Sequence, residues 1–170
     1  MGEIIVLRLV HVLGGIFWVG AGLFNFIFLA PAMVAAGPAA GPMMQVMRRR
    51  KMFVVMPTVA VLTILSGLRL MMIVSSNFGG AYFRTDAGVA FASGGACAIL
   101  AFVIGLAFAM PAQKRLGAVG PQIASAPDEA TRALLQAEAA RLQGRLKVVG
   151  PAVTVLLILA AIAMAIARYV

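Results

Sequence analysis

Acidic residues are scarce: the 170-residue chain holds five Asp and Glu against 14 Lys and Arg, for a formal net charge of +9. It has one histidine and one cysteine. A lone cysteine excludes an intramolecular disulfide, so Cys97, inside an apolar run, reads as a small hydrophobe. Asp128, Glu129 and Glu138 share one polar stretch, which leaves no paired carboxylates in the apolar runs and argues against an enzyme of that kind. No catalytic triad or internal repeat stands out, and GGIFWVG lacks phosphate-loop spacing. Charged residues make up only 11% of the chain and hydrophobic ones 63%, whereas a soluble domain is roughly half apolar and about a quarter charged. A soluble fold has no interior for that apolar surface. The composition predicts a single integral membrane domain spanning 1–170. The basic residues stand between apolar runs, where membrane orientation explains them, so nucleic acid is not expected as a partner.

What is present is four long apolar runs, at about 4–30, 53–74, 88–110 and 148–167. Each reaches the roughly 20 residues that a helix needs to cross the hydrocarbon core. The predicted fold is all-α: an antiparallel four-helix membrane bundle. The first connection carries Arg48, Arg49, Arg50 and Lys51 without an acid, and the third carries Lys114, Arg115, Arg132, Arg141, Arg145 and Lys147. The second has only Arg84 beside Asp86. Positive charge concentrates on the cytoplasmic side of membrane proteins, so both termini are expected outside. The first run is too long for a signal-peptide core and is expected to stay in place.

Pro31 is expected to end the first span, and Pro38 and Pro42 to prevent regular continuation. Met43, Met44 and Met47 read as adaptable apolar side chains. Residues 127–147 predict an amphipathic cytoplasmic helix before the last span, with Pro127 in its first turn. Leu135, Ala139, Leu142, Leu146 and Val149 form its apolar stripe. This helix either lies on the membrane or extends the fourth span, with a bend expected at Gly150 and Pro151.

On the first span His11, Gly14, Gly15, Trp18, Gly22 and Asn25 recur at three- and four-residue steps, forming one small, polar face. Small and polar residues point toward other helices in lipid, so the first span is expected to be central. Arg8 and Arg69 lie at similar depth to His11, with Met71, Met72 and Cys97 near by in depth. Together they predict an outward-facing cationic pocket that needs an anion or a water path. Interhelical hydrogen bonding by His11 is the competing reading.

LRLVHVLGGIFWVGAG resembles the first-helix signature of small CopD-type (copper-resistance D) membrane proteins, with His11 followed by Trp18 and Gly20. The basic run before the second span and Ser66-Gly67-Leu68 are also similar to that pattern. More distantly, the segment resembles HemJ-type protoporphyrinogen oxidases, although the Pro-Arg pair of those proteins is missing. The resemblance implies a haem or copper site at His11, with Arg8, Arg69 and Trp18 around the cofactor and His11, Met71, Met72 and Cys97 as metal donors. Without a second histidine, bis-histidine haem within one chain is excluded. The alternative function is an accessory subunit of a larger membrane complex, with no cofactor of its own. The expected partners are the lipid bilayer and either other membrane subunits or a second copy.

Overall fold

The computed structural model describes residues 1–170, the side chain of Pro38 apart. It is helical, with no strand among the described residues. Four helical segments are long and apolar enough to cross a membrane: Gly2–Ala36, Met52–Val74, Asp86–Ala124 and Glu129–Ile166. These fit a multi-pass membrane protein, since a helix satisfies its own backbone where no water can.

The first segment joins α1 (Gly2–Phe24) to α2 (Ala30–Ala36) through a π-helical turn, Asn25–Leu29. A 3-10 turn, Gly37–Ala39, leads into α3 (Ala40–Arg49), and α4 follows (Met52–Val74). The third segment joins α5 (Asp86–Ile104) to α6 (Met110–Ala124) through a second π turn, Gly105–Ala109, and α7 is Glu129–Ile166.

Pro31 does not end the first span. The chain continues helically to Ala36, and the third span likewise runs on past Pro111 to Ala124. Both π turns lie immediately before these prolines. The amide of Ala30 donates to the Asn25 carbonyl and that of Met110 to the Gly105 carbonyl, in each case one residue further back than in an α-helix. Proline lacks an N–H, and its ring crowds the carbonyl four residues back. The wider turn accommodates both defects without breaking the helix.

The helix is not interrupted at Gly150 and Pro151. α7 is one helix of 38 residues, about 57 Å long and nearly twice the hydrocarbon thickness. Residues 127–147 therefore continue the fourth segment rather than forming a separate helix. Pro127 lies outside it, and Asp128 is the cap, accepting from the Thr131 amide at 2.6 Å. Leu142, from the amphipathic stripe, is buried where α6 lies along α7. The same contact holds a bidentate ion pair, Arg115 Nε to Glu138 Oε1 at 2.7 Å and the second guanidinium nitrogen to Oε2 at 2.8 Å.

The closest packing is between α1 and α4 and between α5 and α7, with lesser contacts of α4 on α5 and α1 on α7. Glu3 meets Arg69 near one end of the first pair, while His11 and Gly14 meet Thr63 further in, so these helices run in opposite directions. Trp18, Ala60, Ala101 and Leu157, one from each spanning segment, join the two pairs in a common core. Trp18 meets Phe102 edge-to-face at 6.3 Å. The first span is nonetheless not central: 6% of its apolar stretch is buried, against 17% for Met52–Val74. Its small face touches neighbours, and its Leu, Ile, Val and Phe side chains stay exposed for lipid.

The structure also exposes a repeat that the sequence reading did not find. LGGIFWVGAGLFNFIFLAPA (13–32) corresponds to SGGACAILAFVIGLAFAMPA (93–112), with the Gly-Gly pair, the π turn and the proline in step. MPTVAVLTILSG (56–67) corresponds to GPAVTVLLILAA (150–161). Buried Ala60, Thr63 and Ser66 of the first match buried Thr154, Leu157 and Ala160 of the second. The protein is thus two similar helical hairpins in tandem, packed about one turn out of register with each other. Gly14 faces Thr63, whereas Gly94 faces Ala160, the counterpart of Ser66.

Candidate functional site

The candidate site lies between α1 and α4 in the first hairpin. His11 is half-buried, and its Nδ1 sits 2.8 Å from the Thr63 carbonyl oxygen. A carbonyl only accepts, so Nδ1 carries the proton. In the neutral ring Nε2 then keeps its lone pair. Gly67 makes room for the imidazole: a Cβ there would stand 2.6 Å from His11 Cε1 and 2.9 Å from Nδ1. A Cβ on Gly14 would collide with the Thr63 hydroxyl, so glycine is also needed where α1 approaches α4 most closely.

Around this contact the polar groups are satisfied. The Thr63 hydroxyl donates to the Val59 carbonyl at 2.8 Å. Ser66 Oγ lies 2.7 Å from the Leu62 carbonyl and 3.0 Å from that of Thr63, so the Thr63 carbonyl is a shared acceptor. No buried side-chain nitrogen or oxygen lacks a partner among the described residues.

Of the residues expected with His11, Arg69 points to the outer rim of the hairpin. Its Nε and a terminal nitrogen both lie 2.8 Å from Glu3 Oε1, and another terminal nitrogen is 3.5 Å from Met72 Sδ. The ion pair supplies an acid for a cluster otherwise made of cations. Both partners are about half exposed, a setting in which an ion pair contributes little to stability. Arg8 is exposed. Trp18 belongs to the common core, where its job is packing. Met71 reaches across to α5, with its methyl 4.0 Å from where a Gly95 Cβ would stand, and Cys97 is half-buried further along α5. Among the described residues no three His, Cys, Asp or Glu side chains form a metal-binding group.

Thr63, Ser66 and Gly67 are the site residues that sequence reasoning did not assign to His11. The tandem hairpins supply the signal. Thr63 and Ser66 stand where the second hairpin has Leu157 and Ala160, and His11 where it has Phe91. The second hairpin carries apolar side chains at the aligned positions, with its helices paired about one turn further along. No family model matches the chain, and no curated protein or solved structure was found similar to it.

Proposed function

We propose that the protein is a CopD-like multi-pass membrane protein. In this reading it is an antiparallel four-helix bundle whose first hairpin offers His11 Nε2 as a ligand to haem or copper in the outer leaflet. The observation that carries this is the 2.8 Å contact of His11 Nδ1 with the Thr63 carbonyl. Metal-binding histidines commonly have one ring nitrogen held by a carbonyl, which fixes the tautomer and leaves the other nitrogen to donate its lone pair. The chain's residues suit a single ligation. Gly67 seats the ring, the Thr63 carbonyl orients it, and the Glu3–Arg69 pair stands at the rim. They do not suit a closed multidentate centre, since Met72 already accepts from Arg69 and Met71 packs toward Gly95. Haem would bring redox chemistry and copper a soft electrophilic centre, and either would draw further ligands from outside this hairpin. The basic ends of the spans then face the cytoplasm of a bacterial cell, and both termini face outward.

The second reading, an accessory subunit without its own cofactor, is favoured by the same hydrogen bond viewed as a tie between α1 and α4. One experiment separates the two. The protein is purified in mild detergent, its visible spectrum recorded and its copper content measured. A Soret band or near-stoichiometric copper, lost in His11→Ala while the variant remains folded by circular dichroism, is the expected result. Colourless, copper-free protein overturns the first reading and leaves the second.

A further inference from the structure

At the opposite end from His11, α3 and α6 enclose a crevice of about 610 Å³ lined by Gln45, Arg48, Arg49, Gly117, Ala118 and Pro121. Its walls differ in chemistry. Two arginines and a glutamine line its α3 side, and glycine, alanine and proline its α6 side. Gly117 lets α3 settle close, since a Cβ there would stand 3.3 Å from Met44 Cγ.

Some of the cations at this end are paired with carboxylates or lie against aromatic rings. Arg115 is held by Glu138, and Arg132 pairs with Glu129. The Lys114 ammonium lies 5.9 Å from the Phe53 ring centre, and the Arg145 guanidinium 5.1 Å from that of Phe108. Arg48 and Arg49 enter no ion pair among the described residues, yet both line the concavity. Two unpaired guanidinium groups beside an amide donor match the oxygens of a phosphate, for which arginine's planar fork of N–H groups is suited. The crevice adjoins the start of the second span, and exposed Met43 and Val46 on α3 put apolar side chains next to its cations. A phosphate there would lie at headgroup level.

We propose that this crevice is a phosphate-binding site, taking the phosphodiester of an anionic phospholipid or a soluble phosphate by the same chemistry. The site is independent of His11 and of any cofactor there. Arg48 and Arg49 are exposed, as are Arg50, Lys51, Arg141 and Lys147, and of these cations only Arg48 and Arg49 line the crevice.

The test uses the full chain in phosphatidylcholine nanodiscs, with phosphatidylglycerol or inorganic phosphate added, and reads retained lipid by native mass spectrometry and affinity by titration. Arg48→Gln with Arg49→Gln is expected to weaken binding about thirtyfold, and Arg141→Gln with Lys147→Gln to leave it within about twofold. Ala118→Leu, which fills the crevice without changing charge, is expected to weaken binding as well. Retention of phosphatidylglycerol identifies a lipid source, and saturable binding of inorganic phosphate without lipid preference identifies a soluble one. Two results overturn the proposal. One is that neither ligand binds better than phosphatidylcholine. The other is that both double variants weaken binding equally while Ala118→Leu has no effect, which marks a diffuse surface charge.

Discussion

At the residue scale the key position is Gly67. Its lack of a side chain lets the His11 ring lie against α4 and reach the Thr63 carbonyl. Gly67→Ala is expected to push the ring away and destabilise the protein by about 1–3 kcal/mol through overpacking. His11→Phe loses only an interhelical hydrogen bond, worth about 1 kcal/mol in a membrane, and places there the side chain that Phe91 provides in the second hairpin. Thermal unfolding in detergent distinguishes them: Gly67→Ala should lower the midpoint clearly more than His11→Phe. The reverse order would show that the histidine is chiefly structural. The sequence revealed His11 as exceptional because it is the lone imidazole in an apolar run. It did not reveal Thr63, because the acceptor is a backbone carbonyl and every residue has one.

At the element scale the prolines and the polar helix ends decide the outcome. Pro31 looked like a stop because proline disrupts an α-helix, but a π turn before it, and another before Pro111, carry the helix through. Pro111→Ala restores an N–H and is expected to let the π turn relax into regular α-helix. That would rotate α6 by about 100° relative to α5. The Arg115–Glu138 pair would then separate. In a Cys97→Ala background, a short bismaleimide should link cysteines placed at 115 and 138, and adding Pro111→Ala should sharply reduce the yield.

The α6–α7 contact also responds to acid. Hydrogen bonding to Arg115 holds the Glu138 carboxyl below its ordinary range, and the Thr131 amide does the same for Asp128. Carboxyls lowered in the folded state add stability above their unfolded values and lose it as pH falls through the folded ones. Protection of the amides over residues 129–140, measured relative to the intrinsic exchange rate at each pH, should therefore fall on acidification from the ordinary carboxylate range downward and be unchanged between pH ~6 and ~8. Asp128→Ala should weaken the helix start at neutral pH and blunt the acid response.

At the scale of the whole molecule the protein is two hairpins joined by one small core. Trp18 is the largest member of that core and touches what the second hairpin contributes through Ala101, Phe102 and Leu157. Trp18→Ala is expected to cost about 3–5 kcal/mol, and separate expression of the chain as residues 1–79 and 80–170 should expose the effect directly. The halves of the parent should co-purify from a shared membrane, and those carrying Trp18→Ala should not. Co-purification unaffected by the substitution would mean that the remaining interhelical contacts suffice.

The number of spans, their apolar character and the concentration of positive charge in alternate connections were legible in the sequence, because the hydrocarbon core imposes a length and a composition that any spanning helix must meet. The repeat was not: its identities are thinly spread through segments drawn from a few apolar residue types, and it stands out only when burial and π turns coincide. Tertiary structure alone decided that Leu142 of the 127–147 stripe is buried, that Glu138 pairs with Arg115, and that Trp18 is core. A side chain's partner depends on which helix lies beside it, and helix pairing follows from the fit of surfaces such as Gly14 against Thr63, which hydrophobic periodicity does not encode.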